Sequence, residues 1–110
     1  MDQELNAFLV QRLGSQSDEL LRSLLQDQEH SEFLLQEYNM LFEERKKLAT
    51  QIQENNFRQT RLFDILIVYD NIDTKFQEVS QHLKLISSTI LEKQRHCTKI
   101  LSQIHSLQQA

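Results

Sequence analysis

A run of apolar residues at alternating spacings of three and four occupies the second half of the chain. It covers five heptads or more, and eleven of its twelve positions are apolar if cysteine and tyrosine are counted. The positions are Tyr69, Ile72, Phe76, Val79, Leu83, Ile86, Ile90, Lys93, Cys97, Ile100, Ile104 and Leu107. A mean spacing of about 3.5 residues is typical of helices that wrap around each other with a left-handed twist. The run therefore predicts a long coiled-coil helix that packs against at least one other helix.

A less regular run with the same spacing lies upstream. Its positions are Leu34, Tyr38, Leu41, Arg45, Leu48, Ile52, Asn55, Gln59, Leu62, Leu66 and Tyr69. Counted through this run, Tyr69 occupies heptad position d, whereas the downstream run puts it at position a. The mismatch predicts a slip of register between Leu62 and Ile72, as in a stammer or stutter.

The predicted slip coincides with the most apolar segment of the chain, residues 62–69. On a helix, this segment presents apolar side chains on more than one face. Because a two-stranded coiled coil buries one seam only, we expect this segment to contact more than one helix. A β-strand is the alternative interpretation, since β-branched residues are frequent here.

Turn-forming residues are scarce, with one glycine and no proline in 110 residues. Few turns imply few, long elements. The clearest interruption is the segment 14–18, where Ser15 and Asp18 have the spacing of a helix-capping box. We therefore predict a short amphipathic N-terminal helix within residues 1–14 and a coiled-coil domain over 15–110. The fold class is all-α, with long coiled-coil helices.

The arrangement of the long helices is open at this stage. Asparagine is a poor helix former and tolerates turn geometry, so the chain could reverse at Asn55 and Asn56. Asn55 could equally be a polar core position in an unbroken helix. We thus expect either a helical hairpin or a near-continuous rod, with a reversal or register break near residues 54–72.

Catalytic and metal-binding patterns are not evident in the sequence. The four histidines, His30, His82, His96 and His105, have no HxxxH spacing, and the single cysteine excludes a CxxC motif. Cys97 lies at a core position, where cysteine usually acts as a small hydrophobe. We expect no enzyme activity, cofactor, metal or small-molecule substrate.

Two basic residues, Arg45 and Lys93, fall on predicted core positions. A lone polar residue in a coiled-coil core often fixes register or oligomeric state. Alternatively, the stems of these side chains pack while their charged groups reach water.

Charge is distributed unevenly along the chain. Residues 1–44 hold ten acidic and two basic residues, a net charge of −8, and residues 45–110 hold ten basic and six acidic residues, a net charge of +4. The two parts could attract each other, or they could simply be solvated faces that differ. A net charge of −4 does not favour nucleic acid as a partner.

The sequence also suggests a compartment. No apolar run approaches the roughly 18 residues of a membrane span, and the first residues do not look like a signal peptide. A single cysteine fits a reducing environment. We expect an intracellular protein, in the cytoplasm or nucleus, without membrane insertion.

The predicted function is that of a non-catalytic interaction or scaffold subunit in a multiprotein complex, of the kinetochore, spindle or tethering type. Its partners would be other helical subunits, with a hetero-oligomer favoured over a homo-oligomer. The alternatives are a small adaptor or chaperone that shields a partner's amphipathic helix, and a homodimeric spacer rod. The predicted partner-binding seam is Leu62, Ile65, Leu66, Tyr69, Ile72, Phe76, Val79, Leu83, Ile86, Ile90, Cys97, Ile100, Ile104 and Leu107.

Overall fold

The structure, a computed structural model, describes residues 2–54 and 59–109 and consists of two long helices. Helix α1 spans Asp2–Glu54 and helix α2 spans Gln59–Gln109. Every residue in these two ranges is helical, which confirms the all-α fold class. The β-strand considered for residues 62–69 is wrong, because this segment lies within α2. The reversal considered at Asn55 and Asn56 lies outside the described residues.

Helix α1 passes through Gly14 without interruption. The predicted break at 14–18 is therefore wrong, and residues 2–14 form the first part of α1 rather than a separate short helix. A single glycine in a helix interior costs only about 1 kcal/mol relative to alanine. Leu13 and Leu20, which are half-buried, and Ser17, which is buried, continue the spacing of the inward-facing positions across the glycine. Packing along this face outweighs the local capping signal.

Contacts divide the chain into two units. Unit 1 combines Met1–His30 with Ile86–Ala110, and unit 2 comprises Ser31–Leu85. Each unit therefore contains one segment of α1 and one segment of α2.

The two helical segments of unit 1 run antiparallel. Ser17 lies beside Cys97, and Asp27 pairs with Lys93, so residue numbers on α2 fall as those on α1 rise.

The segments of unit 2 are antiparallel as well. Tyr38 packs on Phe76, and Arg45 pairs with Asp73. Antiparallel contacts between residues of one chain favour the helical hairpin over the near-continuous rod.

One continuous stripe of α2 is buried or half-buried, and the spacing of three and four never changes along it. The stripe consists of Leu62, Ile65, Tyr69, Ile72, Phe76, Val79, Leu83, Ile86, Ile90, Lys93, Cys97, Ile100, Ile104 and Leu107. The predicted register slip between Leu62 and Ile72 is therefore wrong. It arose from counting one register through two separate helices, and Ile65, not Leu66, continues the stripe.

The resulting core is thin. The most buried apolar side chains are Leu24, Cys97 and Ile100 in unit 1 and Leu34 and Phe76 in unit 2, and none of the described side chains is completely buried. Two helices cover only one face of each other, so both edges of the seam stay open to solvent.

Candidate interaction surfaces

The predicted partner-binding seam coincides with the buried stripe of α2, with Leu66 as the exception. Leu66 is 43% exposed and points away from the stripe. The contacts of Phe76 and Cys97 show that α1 of the same chain packs on this stripe. Binding of another chain through these residues stays a prediction, and the structure adds a second set of surfaces that the sequence analysis did not single out.

An aromatic cluster holds the seam of unit 2. The ring of Phe76 lies 4.7 Å from that of Tyr38 and 6.2 Å from that of Phe42, measured between centroids. The guanidinium carbon of Arg45 sits 4.2 Å from the centre of the Phe76 ring, within cation–π distance. Nη1 of Arg45 also donates a hydrogen bond of 2.8 Å to Oδ1 of Asp73. Arg45 thus spans the seam instead of only reaching solvent.

A second polar contact spans the seam of unit 1. Nζ of Lys93 donates a 2.6 Å hydrogen bond to Oγ of Ser23 and forms an ion pair with Asp27. The base belongs to α2 and the acid to α1, which is the reverse of the arrangement in unit 2. Both pairs are partly exposed, so each contributes at most about 1 kcal/mol.

The two ion pairs favour one alignment of the helices. A shift of α1 along α2 by one heptad would remove Asp73 from Arg45 and Asp27 from Lys93. The same shift would separate Phe76 from Tyr38 and Phe42, so the aromatic cluster and the ion pairs, which contribute at most about 1 kcal/mol each, together favour the observed alignment. The pairs therefore support the interpretation that Arg45 and Lys93 fix register.

Cys97 belongs to the seam. Its side chain is buried, and Sγ lies 3.9 Å from Oγ of Ser17. In residues 2–54 and 59–109, no three His, Cys, Asp or Glu side chains come together in a group able to hold a metal ion. Within the same ranges, neither helix has a segment long and apolar enough to cross a bilayer.

Large apolar side chains are exposed on the outer surfaces of both units. Those of unit 1 are Leu5, Phe8, Leu21, Leu25, Leu91 and Leu101, and those of unit 2 are Phe33, Leu35, Met40, Phe42, Phe63, Leu66, Ile67, Val68 and Leu85. The prediction that residues 62–69 are apolar on more than one face is confirmed, because Phe63, Ile67 and Val68 point outward while Leu62 and Ile65 face α1. The additional helix expected to contact this segment stays a prediction.

Unit 2 has two edges of different character. On one edge, a groove of about 420 Å³ is lined by Glu37, Met40, Leu41, Glu44, Lys75, Glu78, Val79 and His82. We call this the charged edge, because five of these eight residues are ionisable. The opposite edge carries Leu35 and Phe42 on α1 and Phe63 and Leu66 on α2, and we call it the apolar edge.

Unit 1 contains an apolar groove near the start of α1 and the end of α2. The groove has a volume of about 510 Å³ and is lined by Leu9, Arg12, Leu13, Gln16, Ser102, Gln103, Ser106 and Leu107. Leu9 and Leu13 therefore lie at the surface of the helix pair.

A periodic signal in the sequence marks part of these outer surfaces. Leu21, Leu35 and Phe42 each directly follow a seam residue and are separated by multiples of seven. A helix with a strict two-residue seam in each heptad lacks such a third apolar position, whereas helices of larger bundles have it.

The chain was found to match no protein-family model, no curated protein and no solved structure.

Proposed function

We propose that this protein is a non-catalytic helical interaction subunit of an intracellular multiprotein assembly. Its own two helices pair along the heptad seam, and its outer apolar surfaces bind helices of other subunits. The observation that carries the proposal is the large apolar surface that the two helices leave uncovered.

The total accessible area of the chain, polar and apolar together, is large for its mass. The chain exposes 8867 Å². A folded monomeric protein of 13.1 kDa exposes about 6,400 Å² by the general scaling of surface with mass. The difference, about 2,500 Å², is in the range that a large protein–protein interface buries. Packing against helices of other subunits would bury this additional surface.

The chemistry of the surface favours helices as the partners. The exposed apolar side chains follow helical spacing, as in Phe63, Leu66 and Ile67 on one face of α2. A partner helix can interdigitate with such a stripe along its length. The single free cysteine, Cys97, lies within the seam and is compatible with the reducing environment of an intracellular complex.

The proposal can be tested with two double variants of α2. Phe63→Gln with Ile67→Gln changes the outward face, and Ile65→Gln with Tyr69→Gln changes the inward face of the same two turns. The measurements are molar mass by light scattering during size-exclusion chromatography and helicity by circular dichroism. We expect the wild-type chain to associate beyond 13.1 kDa. The outward variant should lower the associated mass and keep the helicity, whereas the inward variant should lower the helicity.

The state of the wild-type chain then identifies the partner. A uniform dimer would mean that a second copy covers the outer surface, and heterogeneous or poorly helical material would mean that other subunits are required. A fully helical species of 13.1 kDa, unaffected by the outward variant, would contradict the proposal.

A further inference from the structure

The apolar edge of unit 2 contains a regular third stripe beside the seam. On α1 it consists of Leu35, Phe42 and Ala49, which directly follow seam positions at intervals of seven residues. On α2 the equivalent positions are Leu66, Asp73 and Ser80. Asp73 is the one charged residue among the six, and it is paired with Arg45.

Two contacts place both halves of this stripe on the same edge. The ring of Phe42 approaches Phe76 of α2 from α1, and Asp73 approaches Arg45 of α1 from α2. The glutamates and basic residues that precede seam positions, such as Glu37 and Lys75, line the groove on the other edge. On α1, Leu35, Phe42 and Ala49 add a third apolar position to each heptad of this stretch, as in helices of bundles with more than two helices.

Large and small side chains lie level with each other across this edge. Counting along the helices from the Tyr38–Phe76 and Arg45–Asp73 contacts puts Leu35 level with Ser80 and Ala49 level with Leu66. At each of these levels, one helix has a large residue and the other a small one. Such alternation permits close interdigitation of facing helices.

Charges at the rim of the edge are also complementary, because acidic residues on one helix lie level with basic residues on the other. Glu32 and Lys46 lie outside the stripe on α1, and Asp70 and Lys84 lie outside it on α2, all four exposed. The same count puts Lys46 level with Asp70 and Glu32 level with Lys84. Each level thus carries one acid and one base on different helices.

We infer that a second copy of this chain covers the apolar edge of unit 2, with its own apolar edge, to form an antiparallel four-helix bundle. This inference rests on the proposed function and names the partner of one of its surfaces. The two-fold axis runs parallel to the helices, so that α1 of each copy packs beside α2 of the other. Lys46 then faces Asp70 of the second copy and Glu32 faces its Lys84, and each pair occurs twice.

The inference is tested by charge reversal at one of these pairs. Lys46→Glu puts two acidic pairs into the dimer, and Asp70→Lys puts in two basic pairs. Loss of attraction and gain of repulsion at two rim sites should raise the dimer dissociation constant about tenfold or more. A 1:1 mixture of the two variants restores both pairs and should form a mixed dimer with nearly the wild-type constant, as should the chain that carries both changes.

Sedimentation equilibrium at low ionic strength measures these constants, and circular dichroism verifies that each variant is folded. The matched control is Lys47→Glu, which makes the same charge change at an exposed neighbouring position outside the apolar edge and should have little effect. The differences should shrink in about 1 M salt, where charges are screened over about 3 Å.

Three results would overturn the inference. A poorly helical wild-type monomer would do so while leaving other helical subunits as partners under the proposed function, whereas a fully helical monomer that the outward variant does not change would contradict both. A dimer that is no more sensitive to Lys46→Glu than to Lys47→Glu would have formed through another surface. The third result is that the 1:1 mixture of Lys46→Glu and Asp70→Lys does not recover the wild-type dissociation constant, whereas adding Glu32→Lys to Lys46→Glu does. This result would mean that α1 packs beside α1 of the second copy.

Discussion

Replacing Phe76 by alanine tests the packing of unit 2 where it is tightest. The side chain is 7% exposed and packs against the stacked rings of Tyr38 and Phe42, with the Arg45 guanidinium over its face. Removal of a buried phenylalanine side chain costs about 3–5 kcal/mol. We expect a value near 3 kcal/mol, because the open edges of a two-helix seam let Tyr38 and Phe42 move into the space.

Urea denaturation followed by circular dichroism measures this loss. With a slope of about 1.5 kcal/mol per molar urea, a loss of 3 kcal/mol lowers the midpoint by about 2 M. The chain concentration has to be the same for all variants, since association shifts the apparent stability.

A matched control is available in the same unit. Phe33 is 59% exposed, so Phe33→Ala removes the same group from a solvated position. We expect its free energy of unfolding to stay within about 0.5 kcal/mol of wild type. If Phe76→Ala also stayed within about 1 kcal/mol, the reasoning would be refuted, because Phe76 would then not be a packing centre.

Three smaller changes test other features of the helices. Gly14→Ala should raise the free energy of unfolding by about 0.5–1 kcal/mol, because alanine is the better helix former and an added Cβ meets nothing within 4 Å beyond its chain neighbours and the backbone of its own helix. Thermal denaturation would show no rise if the helix is broken here. Asp73→Ala should lower the free energy of unfolding by about 0.5–1 kcal/mol, because the partly exposed Arg45 loses its ion pair. An unchanged midpoint of urea denaturation would argue against that pair. Lys93→Met exchanges the partner of Asp27 for an apolar side chain of similar length. It should lower the free energy of unfolding by less than about 1.5 kcal/mol in the same assay. A larger loss would mean that the Lys93 ion pair itself stabilises the seam.

The seam could be predicted from sequence because it depends on spacing alone. A repeat of 3.5 residues specifies which residues of α2 turn toward another helix, and the structure places residues such as Ile72, Val79 and Ile86 there. Spacing contains no information on which helix provides the cover or in which direction it runs. That is why the hairpin and the rod were both open until contacts such as Arg45–Asp73 decided between them.

Two local signals were misleading for physical reasons. Gly14, Ser15 and Asp18 resemble a helix boundary, but side-chain packing on both sides of the glycine keeps α1 continuous. The register slip near Leu62 came from treating two helices as one. In both cases tertiary contacts decided the outcome, and these act between residues far apart in the sequence.

The polar contacts of the seam were predictable only in part. Arg45 and Lys93 stand out in a heptad count because they are charged residues at apolar positions. Their partners, Asp73 and Asp27, do not stand out, since acidic residues are common at the edges of exposed helices. Only the antiparallel alignment brings each acid within reach of its base.

Cross-linking of a Ser17→Cys variant tests the central claim, that the two helices of one chain pair antiparallel. The hydroxyl of Ser17 lies 3.9 Å from the thiol of Cys97, so a cysteine at position 17 should form a disulfide with it under mild oxidation. Ser15→Cys, at an exposed position of the same helix, is the control and should not react with the buried thiol. We predict that oxidised Ser17→Cys chains run as monomers on a denaturing, non-reducing gel and lose two hydrogen atoms in mass. Cross-linked dimers, or no cross-link at all, would contradict the intrachain hairpin on which the interaction surfaces depend.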